Sequence, residues 1–253
     1  MKIVVCVKAV PDAATGRRID AASKRIDRSG DLALSDFDSH PVEEALRLRE
    51  EGGGGEVVIV SLGPERAADA LRKTLAMGAD RSVLVSDQAF EGADLVVTAK
   101  ALAGALEREG ADLILFGQQS ADGDGACLWA AVAELLRQPV ISQVSELEAG
   151  GGTVTGKRQT EFGYERLRAP LPAVVAVSDA INEPRYPSLK GIMGAKSKPQ
   201  EVLSAADVGG AGEARTSVLA LAAPPSRGDR RKLEDDGKAA EAIVEFLAEK
   251  RLL

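Results

Sequence analysis

Cysteine and histidine are almost missing from this sequence: Cys6, Cys127 and His40 are all it has. Two thiols so far apart build no disulfide framework, and one histidine without a Cys/His cluster excludes a four-ligand zinc site. Aromatic residues are few (five Phe, two Tyr and one Trp), so the core must come from Val, Leu, Ile and Ala. That favours layered α/β packing over an all-β barrel or lectin-like sandwich. Positive charge is outnumbered, with 32 Lys and Arg against 39 Asp and Glu and a net charge of −7. Nucleic acid is therefore not an expected partner, because neutralising phosphates takes a basic surface. No stretch reaches the roughly 18 consecutive apolar residues of a membrane span. The N-terminal apolar run, Ile3 to Val7, is shorter than a secretory core. A cytoplasmic protein without membrane insertion is expected.

What is present is enough for a large core. The 253 residues, 45% of them hydrophobic, should bury about 70% of the surface the unfolded chain exposes. Ile3 to Val7 reads as a buried strand, ended by Val10-Pro11-Asp12. Residues 13–38 form a polar excursion with room for a hairpin. A helix is expected near Pro41, with proline in its first turn and acids early, stopping at Gly52–Gly55. Strands at 56–61, 82–86 and 112–116 then alternate with helices at 65–77, 93–109 and 127–137. Continuous β-branched strands alternating with helices mean a mostly parallel, doubly wound sheet with helices on both faces. After Val140–Val144 a hairpin is expected with arms 143–149 and 153–160, turning at Gly150-Gly151-Gly152, followed by strand-like runs at 164–167 and 173–177. Beyond about residue 184, regular pattern is lost until a final amphipathic helix at 234–250.

The motif with most chemistry in it runs Gly117-Gln118-Gln119-Ser120-Ala121-Asp122-Gly123-Asp124-Gly125. It follows a strand and precedes a helix, where open α/β sheets bind ligands. Its glycines let the backbone approach phosphate oxygens, and the next helix offers N-terminal amides to an anion. It is neither G-x-G-x-x-G nor a P-loop, since no Lys-Ser/Thr follows. The other reading is an ordinary strand–helix turn, and the two aspartates weigh against a bare phosphate hole unless they hold a sugar or point away. Ser35-Asp36-Phe37-Asp38 is either an adenine-reading segment or a helix N-cap. Lys8 meets a phosphate or caps a surface. Cys6 reads as a small buried hydrophobe, Cys127 as a packing residue at a helix start, and His40 as a helix-start residue. The scattered carboxylates form no acid–base pair, so no catalytic residues are expected.

The stretch from Asn182 to Pro199 sets Tyr186, Leu189, Ile192 and Met193 among basic residues and three prolines. It reads as an irregular interaction loop, or as a loop docked on its own domain.

Several separated motifs in order resemble the β subunit of electron transfer flavoproteins. They are Val7-Lys8-x-Val10-x-Asp12, Val42-Glu43-Glu44-Ala45, Leu75 to Asp80, Gly156-Lys157-Arg158 through Glu161, Gly163, Glu165 and Leu167 to Pro172–Ala176, and Asn182-Glu183-Pro184-Arg185-Tyr186. Phe162 departs from the pattern where a small or acidic residue is usual. The resemblance implies an adenine nucleotide α-hydrolase-like α/β domain over 1–225, with a β-hairpin extension and a recognition loop at 184–198. An extended arm at 226–253 would end in a helix packing on the partner subunit. It implies a heterodimer with an α subunit, sharing one FAD held mainly by α, and a structural AMP in β, or a second FAD in its place if the protein bifurcates electrons. The nucleotide would touch Cys6, Ser35, Asp36, Phe37, Asp38, Leu62 and the loop Gly117, Gln118, Gln119, Ser120, Asp122, Gly123, Asp124, Gly125, Ala126, Cys127 and Leu128. Tyr186, Leu189, Ile192 and Met193 would dock on flavin dehydrogenases, such as those acting on acyl-CoA in fatty acid oxidation, with a quinone oxidoreductase receiving the electrons. No metal is implied. Where many relatives continue with a polar–glycine stretch, this chain has Cys127-Leu128-Trp129, so an indole is expected to crowd the phosphates. Two other readings compete: an ATP-binding or hydrolysing stress-protein-like module, and an assembly subunit without nucleotide.

Overall fold

Short β-branched runs bounded by Gly, Pro or Asp become the central strands, and the longer segments with 3.6-residue periodicity become the helices. In chain order they are β1 (Lys2–Cys6), β2 (Ala9–Pro11), β3 (Ile19–Asp20), β4 (Arg25–Ile26), β5 (Leu32–Leu34), α1 (Asp36–Glu51), β6 (Glu56–Leu62), α2 (Ala67–Met77), β7 (Arg81–Val85) and α3 (Leu95–Glu109). There follow β8 (Leu113–Gly117), α4 (Leu128–Leu136), β9 (Val140–Gly150), β10 (Thr153–Thr160), β11 (Gly163–Pro170), β12 (Ala173–Val177), α5 (Leu189–Ala195), β13 (Gln200–Leu203) and α6 (Ala239–Glu249). The computed structural model describes residues 1–16, 18–225, 232–235 and 237–253. These divide into Met1–Ser217, which carries the sheet, and Val218–Leu253, which carries α6.

One sheet runs β11-β10-β9-β12-β8-β1-β6-β7-β13. From β9 to β13 neighbouring strands are parallel, while β10 pairs antiparallel with both β9 and β11. This is the mostly parallel α/β sheet expected from the sequence, with the hairpin extending one edge. Successive residues of β1 face opposite layers. Ile3 and Val5 pack with Leu46 and Leu75 of α1 and α2, and Val4 and Cys6 pack with Leu102 and Val132 of α3 and α4. Each fully buried Val, Leu or Ile contributes about 1.5–3 kcal/mol from its removal from water. Strand order reverses between β1 and β8, and such a reversal opens a crevice at the carboxyl ends of the strands.

The structure corrects several boundaries. Helix α1 begins at Asp36, so Pro41 lies inside it instead of in the first turn. A proline there supplies no N–H to the carbonyl four residues earlier, that of Phe37. His40 is likewise within the helix, its Nδ1 3.1 Å from the Asn182 carbonyl. The hairpin's first arm and the preceding run are one strand, β9, which Gln143 bends at a φ of 57°. The same strand thus runs parallel to β12 and then antiparallel to β10.

The stretch expected to be irregular holds α5 and β13. Its prolines flank these elements, and the Gly191 N–H donates to the Ser188 side chain at the start of α5, 3.1 Å away. The Lys198 ammonium donates to the carbonyls of Leu75 (2.9 Å) and Ala79 (2.6 Å), capping the end of α2. The final helix begins at Ala239, after Gly237 at a φ of 91°, and not at 234. The expected domain junction at 225/226 abuts residues 226–231, which, like residue 236, lie outside the described residues.

Candidate functional site

Past the carboxyl ends of β1, β6, β7 and β8 lies a cavity of about 950 Å³. Its floor is Cys6, Leu62, Ser86 and Gly117 at the strand ends, one wall is the Gly-rich loop with Leu128 and Trp129, and Arg25 and Arg28 come from the excursion before α1. A volume of this order suits an organic ligand of cofactor size.

The loop 117–128 is held by contacts from other elements. The Ala121 N–H donates to the buried Ser35 hydroxyl (3.2 Å), and the Trp129 indole N–H donates to the Gln118 carbonyl (3.1 Å). The indole expected to crowd the site therefore braces the loop while lining the cavity. Backbone freedom is used elsewhere than the spacing suggests. Asp124, not a glycine, takes the left-handed conformation (φ 49°), and open space surrounds Gly125. The position that demands glycine is Gly117, where a Cβ would stand 2.7 Å from Asp38 Oδ1 and 2.8 Å from the Phe37 carbonyl oxygen. At the start of α4 the Cys127 side chain caps nothing, which leaves first-turn amides for a ligand.

Charge is concentrated on one buried carboxylate. Asp122 takes Lys8 Nζ on Oδ1 at 2.7 Å and an Arg28 guanidinium nitrogen on Oδ2. Burial pushes this carboxyl up, but the Lys8 hydrogen bond and the charges of Lys8 and Arg28 outweigh it and hold Asp122 below the usual range. Of the loop's two acids, Asp122 is thus neutralised. Asp38 is different. Burial raises its carboxyl to about 7, although it accepts the Lys8 backbone N–H at 2.7 Å. Burial, and then the Asp38 charge, push the Cys6 thiol well above its ordinary range, so Cys6 behaves as packing.

The residues expected at the nucleotide fall into three groups. Cys6, Asp38, Leu62, Gly117, Gln119, Ser120, Gly125 and Leu128 line the large cavity. Asp36, Phe37 and Asp124 line a second groove of about 360 Å³, which shares Gln119 with the first. Ser35, Gln118, Asp122, Gly123, Ala126 and Cys127 line neither. Ser35 and Asp122 are buried supports, and Cys127 is exposed. Arg25 and Arg28 were not foreseen, because a polar excursion without a motif gives no sign of where it folds back.

A second surface stands apart. Tyr186 is 94% exposed, Leu189 81% and Met193 76%, with Ile192 beside them. The residues just before them are tied to α1. Arg185 grips Glu43 through Nε (2.8 Å) and Nη2 (2.9 Å) and Glu50 through Nη1 (2.7 Å), while the Asn182 amide donates to the His40 carbonyl at 3.1 Å. Bidentate guanidinium–carboxylate pairing fixes geometry as well as charge.

Among the described residues no group of three His, Cys, Asp or Glu side chains is arranged to hold a metal, and no helix is long and apolar enough to cross a membrane. Residues 24–208 match the model of the electron transfer flavoprotein domain. The chain is 39% identical to an electron transfer flavoprotein subunit beta of Mycobacterium tuberculosis, over 99% of each chain. It is 38% identical to one from Thermoanaerobacterium thermosaccharolyticum, over 90% of this chain and 86% of the other. It is 34% identical, over the full length of both, to the caffeyl-CoA reductase-Etf complex subunit CarD of Acetobacterium woodii.

Proposed function

The chain belongs to the electron transfer flavoprotein family as a β subunit, and from this premise we propose that it binds AMP in the switch-point cavity and completes an FAD site held mainly by its α partner. The single observation that carries the reading is the cavity itself. It opens at the strand reversal between β1 and β8, under a loop with free space at Gly125 and an uncapped helix start. Those groups suit an adenine nucleotide: backbone amides and a close-approach glycine for the phosphate, an apolar wall from Leu62, Phe116 and Leu128 for the base. FAD, when bound between the subunits, supplies the redox chemistry; this chain contributes binding, orientation and docking. The clamped apolar patch on α5 serves flavin dehydrogenases, including acyl-CoA dehydrogenases, and a quinone oxidoreductase takes the electrons onward, all in the cytoplasm. The A. woodii relative, named as a subunit of a caffeyl-CoA reductase-Etf complex, supports direct assembly with an enzyme that acts on a CoA ester. The exposed Ile243, Val244 and Phe246 of α6 suit the α subunit.

The test is co-expression with the α chain. The heterodimer should be yellow and should bleach when an acyl-CoA dehydrogenase and its substrate are added. The β chain alone should be nearly colourless. A stoichiometric flavin in the lone β chain, or a colourless heterodimer, contradicts the proposal.

A further inference from the structure

The cavity wall carries two cations that share one carboxylate, and we propose that Lys8 and Arg28 are the side chains that receive the phosphate of the bound nucleotide, with Asp122 holding them in position. This rests on the nucleotide reading above and assigns a role within it.

The loop 117–128 contains no Lys, Arg or His, so its own side chains offer a phosphate no positive charge. Lys8 comes from the end of β1 and Arg28 from the excursion, and both line the cavity. Each uses part of its donor set on Asp122: Lys8 Nζ on Oδ1 at 2.7 Å, Arg28 Nη2 on Oδ2. An ammonium has three donors and a guanidinium five, so both keep donors for a second anion. The side chains of Lys8 and Arg28 are 41% and 35% exposed, whereas that of Asp122 is 1% exposed. The buried carboxylate is the support, and the exposed cations are what a ligand meets. Two cations against one anion leave a surplus positive charge on this wall.

Among the described residues, the other acids lining the cavity form no ion pair with Lys8 or Arg28. Asp87 accepts the N–H groups of Ala89 (2.9 Å) and Ala205 (3.0 Å), and Asp94 those of Val97 (3.0 Å) and Arg215 (2.8 Å). Asp38 takes the Lys8 N–H, and Glu65 and Glu91 are exposed. Charge-assisted contacts of this kind are about twice as strong as neutral ones.

Calorimetric titration of the nucleotide-free α–β heterodimer with AMP and with adenosine separates phosphate from base recognition. The wild type should bind AMP at least tenfold more tightly than adenosine. Arg28→Met should lower AMP affinity about tenfold and leave adenosine within about twofold. Asp122→Asn keeps both cations but loses the carboxylate that positions them, so it should lower AMP affinity several-fold and leave adenosine within about twofold. If the wild type prefers AMP and Arg28→Met leaves that preference intact, the assignment falls while the nucleotide reading stands. If Asp122→Asn lowers AMP and adenosine binding alike, the trio is only structural and the assignment falls. If neither compound binds the wild type, the nucleotide reading itself falls.

Discussion

Gly117 sits so close to Asp38 that a methyl group on it would stand 2.7 Å from the carboxylate oxygen, with the Phe37 carbonyl oxygen only 2.8 Å away. Strand β8 therefore ends against the first turn of α1, and the cavity floor depends on that contact. Gly117→Val should force the two apart, costing about 1–3 kcal/mol of stability and most of the bound nucleotide. Gly125→Ala, with open space around it and an ordinary φ, should cost little stability. Thermal unfolding with nucleotide extraction of both variants checks the contrast. Equal behaviour would mean that Gly117 is not the sterically essential glycine.

Asp38 predicts a pH dependence. Its carboxyl, raised from 3.8 to about 7 by burial, favours the neutral form in the folded protein. As pH rises through about 4 the unfolded chain ionises first, so stability falls with pH until the folded group ionises near 7. The loss across that window is on the order of 4 kcal/mol. Asp38→Asn should flatten the decline, because an amide does not ionise, while its oxygen still accepts the Lys8 N–H. Denaturant unfolding between about pH 4 and pH 8 measures it, and parallel curves for variant and wild type would refute the assignment.

Trp129 is the residue the sequence marks as an obstruction and the structure shows bonded to the Gln118 carbonyl. Trp129→Gly should therefore loosen the loop and weaken AMP binding several-fold. If the substitution tightens binding, the indole crowds the phosphate after all.

Arg185 mounts the exposed patch on α1 through Glu43 and Glu50. Leu189→Ala should weaken dehydrogenase docking by about 2 kcal/mol, as truncation of an exposed anchor typically does, with flavin content unchanged. Arg185→Met should give a similar rise in apparent KM with kcat largely kept. Electron transfer at subsaturating heterodimer reads both, and unchanged rates would remove α5 from the docking surface.

Much of the fold was legible because the central strands are continuous apolar runs, such as Glu56–Leu62, that only a doubly covered parallel sheet explains. α5 and β13 were not, for two physical reasons. Prolines that flank α5 suggested a broken chain, and the edge strand Gln200–Leu203 buries only Leu203 fully. The Gly-rich loop was visible as a strand–helix junction, and Cys6, Leu62 and Gly117 did meet there. Arg28 was invisible, since its bond to Asp122 joins residues 94 apart and belongs to no motif. Side chains that cap or neutralise at long range leave no local pattern to read.

The central claim is that the β chain holds an adenine nucleotide of its own beside an FAD that depends on α. The most direct measurement is acid extraction of the purified heterodimer followed by chromatographic quantification of released nucleotides. One FAD and one AMP per heterodimer is the predicted result. FAD without any second adenine nucleotide would contradict it, and two FAD with no AMP would replace AMP with a second flavin in the same cavity.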